Sequence, residues 1–141
     1  LFNFKKISDL LISKDAIKII ENSQSLSSEI ISLYEVSNLN FSIDKLKKNC
    51  KLAAITRGVN GSVIISNDKE IVIEPFFYGE AVDTTGAGDL YAGGFLKGLS
   101  MGLEPQISAK IGSICAGQIV TQLGSRSKIN LLDLVNKNLN V

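Results

Sequence analysis

The run Asp83-Thr84-Thr85-Gly86-Ala87-Gly88-Asp89 holds the residues of this chain best suited to chemistry. Threonines and glycines lead into a carboxylate, and then into Leu90-Tyr91-Ala92-Gly93-Gly94-Phe95-Leu96, a small and apolar stretch suited to a buried helix. That order predicts a loop turning into a helix N-terminus. There the first backbone N–H groups lack intrahelical acceptors and face outward with the positive end of the helix dipole. Such an end is an anion site, and glycines let its backbone approach the anion closely. A carboxylate beside an anion hole is repelled by the ligand's charge. Asp89 is therefore better explained by a task, the removal of a proton from an attacking hydroxyl. These features point to phosphoryl transfer, with a glycine-rich helix start capped by Asp89 as the structural alternative.

The elements that must position this stretch follow from periodicity and turn chemistry. Phe4, Ile7, Leu10 and Leu11 recur at helical spacing over residues 2–13. Residues 16–20 read as a short parallel strand, and Ser27-Ser28-Glu29 opens a helix through about Val36 with Ile30, Ile31 and Leu33 as its buried side. Ser42 caps a short helix over residues 43–48, and residues 51–56 form a buried strand ending at Thr56. Alternation of strands and helices predicts an α/β fold with a mainly parallel sheet, whose ligand site lies beyond the C-terminal strand ends. Residues 62–66 and 70–74 around Asn67-Asp68-Lys69 read as a β-hairpin at the sheet edge, closed by Pro75. A helix over residues 106–122, rich in small side chains, ends at a Gly124 stop, and Asn130 caps a last helix over residues 131–138. Gly58 and Asn60-Gly61 are ordinary turn chemistry between two strands.

Composition narrows the functional classes. The 141 residues carry 15 basic and 14 acidic side chains, with no basic block and no long apolar run, so neither a nucleic-acid nor a membrane surface is expected. Histidine is absent, which leaves carboxylates to do any proton work. Cys50 and Cys115 lie far apart and are expected to be free thiols in a reducing, cytoplasmic setting. There is no Walker loop, and Tyr91 stands where a dinucleotide fingerprint needs its third glycine. Gly94 and Gly98 have the spacing of a membrane helix pair, but Lys97 between them argues against a bilayer. The chain opens on Leu1 with no leader pattern ahead of the globular periodicity, and is expected to be a portion of a longer protein.

Seven consecutive residues, Asp83 to Asp89, and the helix that follows closely resemble the C-terminal signature of the ribokinase-like (PfkB) carbohydrate and nucleoside kinases, in the flavour of the adenosine kinase and sugar kinase branch. The resemblance implies the C-terminal part of a ribokinase-like fold, and ATP with Mg2+ as the phosphoryl donor. It also implies a small nucleoside or sugar as acceptor, with a homodimer as a candidate assembly. By resemblance Gly86, Ala87 and Gly88 form the anion hole and Asp89 is the base. Thr56, Gly58 and Gly61 match a Thr-x-Gly-x-x-Gly loop that lies against the nucleotide. Ser113 falls where relatives often place a polar residue beside the adenine, packing being the alternative. Asp83 and Thr85, with the turn at Gly124-Ser125-Arg126, would hold a monovalent cation, potassium being the candidate. The family's Asn-x-x-Glu magnesium motif has no match at its usual spacing; Asn22 and Glu29 are its nearest candidates, with capping and a solvated helix acid as their alternatives. A non-catalytic nucleotide-binding remnant or regulatory module of the same fold is the competing function.

Overall fold

The structure, a computed structural model, describes residues 32–34, 43, 46–47 and 51–139. It divides into two compact units, one reaching to Arg57 and including Ser62–Val72, the other made of Gly58–Gly61 with the chain from Ile73 onward.

The first unit is built on a four-stranded sheet in the order β1 (Ser32–Tyr34), β2 (Leu52–Thr56), β3 (Ser62–Ser66) and β4 (Lys69–Ile73), of which only the last residue, Ile73, is counted with the second unit. Leu52-Ala53-Ala54-Ile55 and Val63-Ile64-Ile65 are unbroken apolar runs, the pattern of strands covered on both faces, and all seven residues are buried. β1 runs parallel to β2 with Leu33 opposite Ala54, and β2 runs antiparallel to β3 with Ala54 opposite Ile64. Ile43 and Leu46, both helical, pack with Ala53, Ile55, Val63 and Ile65 on one face of the sheet. Between β3 and β4, Asn67 and Asp68 both take positive φ, 48° and 63°. That pair of left-handed residues is what a two-residue hairpin turn matched to strand twist requires. Lys47 and Glu70 form an ion pair, partly exposed and so of small energetic weight.

The expected α/β sheet with an edge hairpin is present, and its described parallel step is β1 on β2. One element differs from expectation. Ser32-Leu33-Tyr34 is a strand, not the second half of a helix through Val36. The capping signal at Ser27-Ser28-Glu29 favoured a helix, but pairing of all three residues with Ala53, Ala54 and Ile55 outweighs local propensity. The readings over residues 2–13 and 16–20, with Asn22, Glu29 and Cys50, lie outside the described residues.

The second unit consists mainly of α1 (Ala87–Ser100), α2 (Pro105–Ile119) and α3 (Leu131–Leu139). α1 ends in a glycine-based cap: Gly102, at φ 77°, donates to Leu99 O and Leu103 donates to Gly98 O. α2 starts with Pro105 in its first turn, where its missing N–H costs nothing. Asn130 caps α3 through Oδ1, which accepts from the Leu132 N–H at 3.0 Å. The two long helices meet along a seam of small residues. A Cβ on Gly94 would lie 2.9 Å from the Gly112 Cα, one on Gly98 2.7 Å from the Ser108 Cα, and one on Gly112 2.6 Å from the Tyr91 carbonyl oxygen. The spacing of Gly94 and Gly98 thus serves helix packing within the unit. Behind the seam, Ile111, Ile114, Cys115 and Val135 form the core with Phe76, Leu90 and Leu134 against it.

Candidate functional site

The chain turns into α1 at Gly86, whose φ of 80° is left-handed and whose absent Cβ would lie 2.5 Å from the Ser125 Cβ. Only glycine meets both conditions without strain. The Ala87 N–H closes the turn onto the Thr84 carbonyl at 3.1 Å, and the Leu90 N–H makes the first helical bond, to Gly86 O at 2.9 Å. The N–H groups of Gly86, Gly88 and Asp89 have no protein acceptor among the described residues. Three unclaimed donors at a helix start, with no Cβ on two of the three residues, are the arrangement an anion site requires. Of the three residues expected to form the hole, Ala87 has its N–H committed to the turn. Asp89 stands exposed in the first turn of the helix beside these donors.

Asp83 holds the loop ahead of this turn. Its Oδ1 accepts from the Thr85 N–H at 2.9 Å, and its Oδ2 accepts from the Gly124 N–H at 3.0 Å, 41 residues further on. Its own N–H and that of Val82 donate to Val120 O, at 3.1 and 2.7 Å. These bonds explain two departures from the sequence reading. α2 ends at Ile119, three residues short of Gln122, and the carbonyl of the next residue, Val120, is taken by the 82–83 backbone. Gly124, at φ 83°, is not the helix stop; it sits in the following loop and points its N–H at Asp83. Val120 gave no signal in the sequence, since a backbone carbonyl is common to every residue.

The Asp83 carboxyl is held below the ordinary aspartate range, chiefly by the Thr85 hydroxyl, then by the Gly124 and Thr85 N–H groups, with a weaker opposing push from burial. Because the folded value is depressed, the clamp contributes fully above the unfolded value of about 3.9 and is lost as pH falls through the lower folded value. A carbon-detected NMR titration is expected to place the Asp83 midpoint below the ordinary aspartate value of about 3.9. A midpoint at or above the ordinary value would show that the clamp is not formed.

The remaining candidates are placed as follows. Thr56 ends β2, half-buried, in the first unit. Gly58 and Gly61 bracket a short 3-10 turn in the second, with φ of 57° and 73°. A Cβ on Gly61 would come within 2.1 Å of the Ile73 carbonyl oxygen, so this glycine is fully accounted for by backbone packing. Ser113 is buried in α2, and its hydroxyl accepts from the Phe76 N–H at 3.0 Å and donates to Glu74 O at 3.1 Å. It pins the chain on either side of Pro75 beside a cavity of about 170 Å3, lined also by Lys110, Ile114, Asn138 and Leu139. Among the described residues no three acidic or thiol side chains gather as a metal cluster, and no helix is long and apolar enough to cross a membrane.

Residues 32–131 match the family model described as pfkB family carbohydrate kinase, so the match includes the whole signature and both helices that hold it. This chain belongs to the pfkB family of carbohydrate kinases. A nucleoside kinase of Methanocaldococcus jannaschii is 33% identical to this pfkB chain over 120 residues, covering 84% of it and 40% of the relative. Among solved structures, a probable sugar kinase from Rhizobium etli CFN 42 superposes with a TM-score of 0.70 at 28% identity. The adenosine kinase of Sinorhizobium meliloti superposes at 0.69 and 30%. Each of these two covers 76% of the pfkB chain, which in turn covers 36% of each of them. The fold is ribokinase-like, and the chain spans well under half the length of these kinases.

Proposed function

We propose that this chain carries the nucleotide-binding and phosphoryl-transfer portion of an ATP-dependent kinase acting on a hydroxyl of a nucleoside or sugar, with adenosine the favoured acceptor and ribose or another sugar next. The observation behind this reading is the pairing of Asp89 with the three unclaimed N–H donors at the start of α1. In the reaction Asp89 takes the proton of the acceptor hydroxyl as its oxygen bonds to the γ-phosphorus, and the bond to the β–γ bridging oxygen breaks to release ADP. The N–H groups of Gly86, Gly88 and Asp89 hold the equatorial oxygens, each such donor being worth roughly 3 kcal/mol of barrier.

The cavity beside Ser113 is assigned to the adenine end, and Thr56, Gly58 and Gly61 to the nucleotide loop. Asp83 stays ionised with lone pairs to spare on both oxygens, so with Thr85 it suits a monovalent cation, which would add positive charge beside the phosphate. Magnesium would accompany ATP; its candidates Asn22 and Glu29 lie outside the described residues, and no step is assigned to it. We place the protein in the cytoplasm.

The test is ADP release from ATP by the protein expressed from its full gene, against a panel of adenosine, other nucleosides, ribose and other sugars. Release that depends on one acceptor and rises most with adenosine is expected. Tight ATP binding with no acceptor-dependent release would replace this reading with that of a non-catalytic nucleotide-binding module.

A further inference from the structure

Gln118, in the last turn of α2, and Gln122, three residues past its end, form an amide pair. Gln118, only 3% exposed, donates Nε2 to Gln122 Oε1 at 3.1 Å. The same Gln122 oxygen accepts from the Lys128 N–H at 3.2 Å, while Gln122 Nε2 donates to Arg126 O at 2.7 Å. These partners leave the Gln122 amide one orientation. Turned over, its NH2 would face two donors and its oxygen a carbonyl. Gln118 leaves its own Oε1 buried without a protein partner among the described residues, as its NH2 reaches Gln122. The backbone held by this pair, residues 126–128, continues the turn in which Gly124 donates to Asp83 and Ser125 packs under Gly86.

We propose that Gln122, oriented by Gln118, is a positioning residue for the phosphoryl-transfer loop. It fixes the 124–128 turn, the turn fixes Asp83 through the Gly124 N–H, and Asp83 fixes Thr85 and the approach to the anion hole. Gln122 touches none of the reacting atoms. Its effect on turnover rests on the function proposed above, whereas its effect on loop order does not.

The test uses the full chain with Q122A, D83N and the double variant, read by amide hydrogen exchange and by kinetics. In Q122A, exchange at the Gly124 and Thr85 N–H groups is expected to quicken roughly five- to tenfold. The Phe76 N–H, held by Ser113 elsewhere in the unit, is expected to stay unchanged. Turnover should fall in each single variant with little further loss in the double, the signature of residues acting through one chain of contacts. Equal quickening at all three amides, unchanged exchange at Thr85, or losses that multiply in the double variant would each overturn the proposal. If Q122A does not fold, Q122E decides on the same readouts: it keeps an oxygen facing Gln118 and Lys128 and sets a second, charged oxygen against the Arg126 carbonyl in place of the donating NH2, so the 126 end of the turn is released. A wild-type protein without turnover would refute the kinase reading alone, and exchange at Thr85 would still decide the role of Gln122.

Discussion

Asp89→Asn is expected to lower phosphoryl transfer by ~10²–10⁴, the range a positioned general base contributes, while ATP binds as well as before or better. Asparagine has the size of aspartate, and losing the favourable charge in the first helical turn costs only about 0.3–1 kcal/mol, so the fold of that turn is kept. It lacks the basic oxygen, and it removes a negative charge that stands beside the donors of Gly86 and Gly88. The two consequences run in opposite directions: chemistry weakens because the proton has nowhere to go, and anion binding strengthens because repulsion is gone. Calorimetry with ATP beside steady-state turnover separates them. If Asp89 were only a cap, the variant would turn over at the wild-type rate, and a result of that kind would sink the assignment.

Gly112→Val is expected to have the largest effect on stability. A Cβ at this position meets the Tyr91 carbonyl oxygen at 2.6 Å and the Tyr91 ring at 3.2 Å, and the Gly112 backbone itself lies under Gly94. Neither neighbour is a flexible side-chain end that could swing away, so the helices must part. Overpacking of this kind costs about 2–3 kcal/mol, which for a unit of this size lowers Tm on the order of 10 °C. Gly93→Ala is the matching control, since nothing lies within 4 Å of its Cβ position and an alanine in a helix interior is favoured over glycine. That variant is expected to be neutral or slightly more stable. Thermal unfolding of the two side by side checks the packing account, which fails if G112V unfolds no earlier than G93A. Parting the helices also shifts the start of α1, so turnover should fall with stability in G112V and not in G93A.

What the sequence disclosed depended on how local each device is. The turn into α1 was legible because Gly86 and Gly88 declare a glycine-dependent helix start within one turn of chain. Hairpin and caps were legible for the same reason: Asn67-Asp68 and Asn130 carry their conformational preference in their identity. Three features were not. The strand at Ser32-Leu33-Tyr34 owes its form to β2, a partner no local window contains. The end of α2 at Ile119 follows from backbone donors at Val82 and Asp83, which any residue types could supply. Gly124 was recognised as a glycine that must be special, but its purpose is a bond to Asp83 and not helix termination. Ser113 was read with two alternatives, and its two backbone bonds around Pro75 give it a structural task whether or not a base lies beside it. For Gln122 a weak signal existed, two glutamines four apart at the end of an apolar helix, a spacing at which amides meet.

The bond between Asp83 and Gly124 also bears on the order in which this unit assembles. Its two ends are 41 residues apart, with α1 and α2 both lying between them, so it closes a long loop and forms only once that pair has docked. A folding intermediate holding α1 alone would have a helix start but no ordered approach to it. The ordered approach to α1 is therefore acquired late, as a property of the docked pair, and a nascent chain emerging from the ribosome passes through α1 long before that loop is in place.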